Sequence, residues 1–201
     1  MREPRPLQRP ADKPVPEAPA PRDPDLADVR AAQRDRHAFD RLYRRYLDRI
    51  YSYAFYQLGD HHDAEDATER TFLAALAAID RFRDEGSTFR AWLFRIAHNA
   101  IANSHRARRR RRTQPITDAH QQAAPGADPA GVVARADQQR EIRAALARIP
   151  AERRQAILLR FVDGLSAREI GAVLDRSEGA ARVLLHRALR DLAAELDPGD
   201  A

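Results

Sequence analysis

Between Asp25 and Arg112 the chain contains no proline, whereas eight of its thirteen prolines crowd into Met1–Pro24. That asymmetry limits what the chain can fold into. A proline-dense segment with almost no large apolar side chain cannot bury enough surface to offset its ordering entropy. Residues 1–25 are therefore expected to form a disordered tail. The stretch after it is open to uninterrupted helices. Its clearest periodicity runs through Phe89, Trp92, Leu93, Ile96, Ala97, Ala100 and Ile101, spaced i, i+3, i+4, i+7, i+8, i+11 and i+12. Ser87, one turn ahead of this stripe, is the candidate N-cap.

The opposite face of that helix carries Phe94, Arg95, His98, Asn99, Asn103 and Arg106, and six arginines fall in the seven positions from Arg106 to Arg112. Two readings compete. One is a core helix with a basic, frayed end. The other is a nucleic-acid face, because aromatic, amide and guanidinium groups stack on and hydrogen-bond to unpaired bases while arginines neutralise phosphates.

Further stripes surround it. Phe39, Leu42, Tyr43, Tyr46, Leu47, Ile50, Tyr53, Ala54 and Leu58 define a helix ended by Gly59, and Phe72, Ala75, Leu76, Ile79 and Phe82 define the next. Together they predict a compact three- or four-helix domain over residues 26–112. Residues 113–131, with Pro115, Pro125, Gly126 and Pro129, read as a flexible linker. Helical periodicity returns over 132–197 with Ile142, Leu146 and Ile149, then Ile157, Leu158, Phe161 and Val162. Gly164 follows in a C-cap position, and Ser166 with Glu169 has the spacing of a capping box. No strand pattern occurs. The fold class expected is all-α, two small helical domains joined by a linker.

Several chemistries are excluded or disfavoured. The 201-residue chain has no cysteine, which removes disulfides, thiolate metal sites and thiol nucleophiles. No metal is expected at His61 and His62, which point different ways on a helix. No phosphate-cradling glycine loop and no nucleophile–base pair is present, so neither cofactor nor catalysis is expected. The amino terminus lacks the apolar core of a signal peptide and no run approaches a membrane span, so a cytoplasmic protein without membrane insertion is expected. The net charge is +5 and Lys13 is the only lysine. The basic charge is thus nearly all arginine, whose planar fork suits phosphate and guanine.

Leu165–Leu196 has the spacing of a helix-turn-helix, a short capped helix and a longer one joined by about three residues. The start of its second helix would present Ser177, Glu178, Gly179, Arg182, Val183 and His186 to base edges, with Arg187 and Arg190 placed for phosphates. The alternative is an ordinary helical hairpin with solvated arginines. Asp63, Glu65, Asp66 and Glu69 concentrate negative charge on the helix after Asp60. The helix dipole accounts for part of that, and a docking face for a basic partner for the rest.

Taken together these segments resemble a known family. Asp63-Ala-Glu-Asp66 leading to Thr71-Phe72-Leu73, with Phe89–Ala97 and Asn99, is similar to the second region of bacterial sigma-70 factors. Phe161–Ile170, Ser177–Gly179 and Leu185–Leu189 are similar to the fourth region. With only these two regions, the chain resembles the extracytoplasmic-function group.

The resemblance implies core RNA polymerase, promoter DNA and an anti-sigma factor as partners. It implies that Asp63, Glu65, Asp66 and Glu69 bind core polymerase. It also implies that Phe94, Arg95, His98, Asn99, Asn103, Arg106, Arg108 and Arg109 open and capture the minus-ten element, and that the helix-turn-helix reads the minus-thirty-five element as duplex. Arg70 and Asp175 depart from the family pattern, the latter standing where a turn glycine is usual. A stand-alone helix-turn-helix regulator is the competing reading. Two duplex turns, about 70 Å, exceed the comfortable span of the linker, so the two domains are expected to need a scaffold to place them.

Overall fold

A computed structural model describes residues 23–84, 87–112, 141–142 and 144–196, with side chains up to Arg108 in the 87–112 segment. Among the described residues all regular structure is helical. Helices α1 (Leu26–Arg34), α2 (Phe39–Leu58), α3 (His61–Ala78) and α4 (Phe89–Arg112) build the first domain, with short 3-10 turns at Arg36–Ala38 and Ile79–Arg81. Helical residues 141–142 and 144–148, then α5 (Ala151–Val162), α6 (Ala167–Leu174) and α7 (Glu178–Leu196), build the second. The expected tail up to residue 22, the linker 113–131 and the Arg109 side chain lie outside the described residues.

The helix ends follow local chemistry. Gly59 closes α2 in the left-handed region at φ 72°, its N–H bonded to Phe55 O. The Asp60 side chain then accepts from the Asp63 N–H at 2.9 Å to start α3. In the second domain Gly164 takes φ 67° just beyond α5. Ser166 and Glu169 complete the reciprocal capping box of α6. Asp175 adopts φ 56°, which an aspartate tolerates, so the turn forms without glycine.

Two expectations about α4 change. Its local cap is Thr88, whose Oγ1 accepts from the Ala91 N–H at 3.2 Å, and not Ser87. The expected tail also ends earlier than residue 25, because Asp23 and Asp25 are buried. Asp23 accepts from the Asp25 N–H at 3.0 Å and from the Phe89 N–H, so a residue far upstream helps to cap α4. Asp25 itself takes hydrogen bonds from Arg45 and from the Tyr46 hydroxyl.

Leu42, Ile50, Tyr53, Ile79, Phe89, Leu93, Phe94 and Ile101 are fully buried at the centre of the first domain. Leu159, Leu165 and Ile170 do the same in the second. The two cores form one continuous cluster, because α6 packs on α4 and α5 on α2. The two domains thus meet directly.

Candidate nucleic-acid interface

Phe94 is not on the exposed face of α4. Its ring is fully buried and meets Tyr53 edge-on, with centroids 5.4 Å apart. The reason lies in tertiary packing. Helix α4 touches α2 and α3 on one flank and α6 on another, so it buries an arc wider than one apolar stripe. Trp92 sits only partly buried against Phe82 and Phe89, at 5.4 Å and 5.5 Å.

Arg95, Asn99, Asn103 and Arg106 are among the exposed residues of α4. Their spacing, i, i+4, i+8 and i+11, makes a single ridge. Arg106 donates to Asn103 Oδ1 at 2.6 Å, which orders the far end of that ridge. His98 is half-buried beside it, its Nδ1 3.4 Å from the Tyr53 hydroxyl, and burial pushes its pKa below the usual histidine value.

Arg108 is exposed but has partners within the domain. Its guanidinium folds back, donating to Leu58 O at 3.2 Å and lying 3.6 Å from Asp63. It therefore satisfies a carbonyl at the end of α2 and ties that end to α3. One residue expected on DNA and one expected on polymerase are thus paired with each other. The remaining acids differ among themselves. Glu65 and Glu69 are exposed, while Asp66 lies 3.5 Å from Arg70 one turn on.

Beside them α2 and α3 enclose an open groove of about 700 Å³, lined by Tyr43, Phe72, Leu73 and Leu76 with Glu65 and Glu69 on its rim. Leu73 is 58% exposed, unusual for a leucine in the middle of a helix. His61 is taken up by local packing, stacked near Phe55 at 4.2 Å with its Nδ1 bonded to the Tyr51 hydroxyl.

In the helix-turn-helix all eight expected residues are exposed: Ser177, Glu178, Gly179, Arg182, Val183, His186, Arg187 and Arg190. Ala181 and Ala188 turn the opposite face of α7 into the core. Ser177 Oγ accepts from the Ala180 N–H at 3.2 Å as the N-cap, and Glu178 holds Arg182 one turn along. Gly171 allows the close approach between helix and turn, since a Cβ there would lie 2.6 Å from Arg176 O.

Sequence reasoning missed a charged cluster between the domains. Both carboxylate oxygens of Glu169 accept from Arg90 Nη2 at 2.8 Å, and Thr88 Oγ1 donates to Glu169 at 2.6 Å. Asp163, with a side chain closed to solvent, pairs with Arg49 and lies 3.7 Å from Arg90. Burial alone would raise the Glu169 pKa, but the hydrogen bonds from Arg90, Thr88 and Ser166 outweigh it and hold it at about 2. For Asp163 burial wins over Arg49 and Arg90, and its pKa is raised. The only sequence signal was the capping-box spacing of Glu169, which reports its local bond and not its distant one.

Comparison with known proteins divides the chain at the same place. The family profile Sigma-70 region 2 matches residues 42–111, and Sigma-70, region 4 matches residues 139–192. The ECF RNA polymerase sigma factor BldN of Streptomyces coelicolor is 36% identical over 175 residues, covering 86% of this chain and 65% of that protein. SigD of Mycobacterium tuberculosis is 36% identical over 133 residues, 66% of this chain and 63% of that protein. The chain thus spans somewhat less than two thirds of these two relatives.

The ECF RNA polymerase sigma factor SigW of Bacillus subtilis is 30% identical over 172 residues, and the match covers 81% of this chain and 90% of SigW. Among solved structures, CnrH in complex with the cytosolic domain of CnrY superposes with a TM-score of 0.67 at 26% identity, over 88% of this chain and 99% of CnrH. The sigma factor RpoE of Bartonella quintana, in complex with the anti-sigma factor NepR, superposes with a TM-score of 0.65 at 26% identity, over 81% of this chain and 98% of RpoE.

Proposed function

The chain belongs to the extracytoplasmic-function group of the sigma-70 family, and from that premise we propose that it confers promoter specificity on core RNA polymerase. The observation that supports this most is the pairing of two exposed polar faces on two different domains. The Arg95–Asn99–Asn103–Arg106 ridge of α4 suits an unpaired strand, with amides for base edges and guanidinium groups for stacking and phosphates. The capped start of α7 suits the major groove of a duplex. A protein reading one duplex site has no need of the first face. In this role Phe94 shapes the ridge from below and makes no base contact itself.

The groove between α2 and α3 is the proposed seat for core polymerase. Glu65, Glu69, Leu73 and Leu76 follow one another at i, i+4, i+8 and i+11, which fits a partner helix with apolar and basic residues. An anti-sigma factor is the second proposed partner, as with the RpoE–NepR pair. The work is done in the cytoplasm with the polymerase, and binding energy rather than a chemical step of this chain does it.

Run-off transcription with core polymerase tests the reading. Specific initiation should appear only when core and chain are combined, and Asn99→Ala should reduce it while leaving duplex binding by the second domain unchanged. Tight, sequence-specific binding by the chain alone, unaffected by core, would favour the stand-alone regulator instead.

A further inference from the structure

The groove between α2 and α3 is acidic in a basic chain. Its rim holds Asp48, Glu65, Asp66 and Glu69, and no arginine is among its described lining residues, although the net charge of the chain is +5. Tyr43 and Leu73 leave apolar surface open inside that rim, at 38% and 58% exposure. An apolar floor within an acidic rim fits a segment that is apolar along one edge and basic beside it.

Residues 1–22 have that pattern in their sequence. They hold seven prolines, and Arg2, Arg5, Arg9, Lys13 and Arg22 outnumber Glu3, Asp12 and Glu17. A proline-dense run favours the polyproline helix, which has three residues per turn and no internal hydrogen bonds. That period sets Pro4, Leu7 and Pro10 on one edge and puts Arg5 and Arg9 on the other two. Such a helix docks in grooves lined by aromatic side chains, and Tyr43 and Phe72 line this one. The linker 113–131, also outside the described residues, carries two aspartates and no arginine, so charge selects the tail over the linker. We propose that residues 1–22 fold back into the α2–α3 groove of the free chain and so compete with core polymerase for that seat. Leu7 then meets Leu73 and Tyr43, while Arg5 and Arg9 meet the acidic rim.

The attachment point of the tail suits this. Asp23 is tied to the Phe89 N–H and Asp25 to the Tyr46 hydroxyl, so residue 22 joins the fold beside α2. On the same helix Tyr43 and Leu47, within one turn of Tyr46, line the groove. Helix α2 is about 30 Å long and about 10 Å across. Residues 8–22, at about 3.1 Å each, span up to about 45 Å, which is more than the way around it requires. A segment tethered this close meets its site at an effective concentration on the order of millimolar. A weak fit is then enough to fill the groove, and a tighter partner displaces it.

The competition rests on the reading of this groove as the polymerase seat, and the test separates the two. The chain has no cysteine, so Ala11→Cys gives the full-length protein one site for a nitroxide label. The label should broaden the methyl signals of Leu73 and Leu76 in the free chain. Arg5→Glu combined with Arg9→Glu should remove that broadening, whereas a tail that only sweeps past the surface would keep it. Absent broadening, or broadening that survives the charge reversal, overturns the proposal. Equal broadening when the nitroxide sits on a second copy of the chain also overturns it, because the occupant is then a neighbour's tail.

Titration with core polymerase reads the consequence. The chain with Arg5→Glu and Arg9→Glu should bind core about fivefold more tightly than the parent, since the groove no longer has to be vacated. Equal or weaker binding overturns the competition. If parent and variant both fail to bind core, the polymerase reading of the groove falls and the competition with it, while the methyl signals still decide the tail contact.

Discussion

At the residue scale, the sharpest change concerns Phe94. The sequence places it between Leu93 and Arg95, beside a clean stripe, and a single-helix projection puts it outward. It is buried against Tyr53 of α2, a contact that no local pattern reports. Phe94→Ala should therefore cost about 3–5 kcal/mol of stability in urea unfolding of the full chain. Asn99→Ala, on the exposed ridge, should leave stability within about 0.5 kcal/mol, yet lower initiation by at least about fivefold. Equal stability losses in the two variants would return Phe94 to the surface. A pH dependence follows from two histidines. Burial lowers the pKa of His98, and burial together with Arg154 and Arg108 lowers that of His105. Both therefore bind their protons less readily in the fold than in the unfolded chain, which takes them up near about pH 6.5. Their contribution is complete above that value and is lost as pH falls below it, by up to about 1.4 kcal/mol per pH unit for each histidine. Unfolding midpoints at pH 7.5 and 5.5 should show the decline, and His98→Gln should flatten it.

At the element scale, helix ends were well legible and helix faces less so. Gly59, Gly164, the Ser166–Glu169 box and the Ser177 cap all follow from local rules, and the structure has each of them. The start of α4 did not follow, because half of its cap comes from Asp23, across the domain. The ends of α2 and α4 likewise interlock through Arg108, a side chain that its own neighbourhood marked only as one more arginine. The helix-turn-helix offers a test of geometry at this scale. Its turn packs so closely on Gly171 that a methyl group would meet Arg176 O at 2.6 Å, a backbone atom that cannot swing aside. Gly171→Ala should shift that turn, cost about 1–3 kcal/mol and weaken duplex binding by the second domain. The Arg95–Asn99–Asn103–Arg106 ridge of the first domain should be unaffected. Ser166→Ala should cost about 1 kcal/mol by leaving the start of α6 without its side-chain acceptor. Glu169 adds an acid limit to the same element. Its pKa of about 2 lies below the ordinary 4.5, so its stabilising contribution is present above that ordinary value and is lost as pH falls towards 2.

At the scale of the whole molecule, composition and periodicity were enough for two helical domains, and motif order was enough for the family. The contact between the domains was not legible, because its partners lie far apart in sequence and each has a plausible local role. Glu169 caps a helix, Arg90 sits in a first turn, and Asp163 follows the end of α5. The salt dependence of promoter binding should report that contact. On B-form duplex, log affinity falls against log salt with a slope of about −0.9 for each phosphate neutralised. A closed chain can offer a duplex only one face at a time. Arg182, Arg187 and Arg190 are the exposed arginines of α7's reading surface, so its slope should be no steeper than about −2.7. Where Arg90→Ala breaks the Arg90–Glu169 contact between the domains, Arg95, Arg106 and Arg108 can meet phosphates on the same promoter-length duplex. The slope should then be steeper than that. Fluorescence anisotropy from 50 to 300 mM salt, on about 40 base pairs, measures both slopes. A steeper slope for Arg90→Ala, although that variant carries one positive charge fewer, has no explanation in charge alone and requires a second face brought within reach. Equal slopes would mean that the two faces already act together in the parent chain.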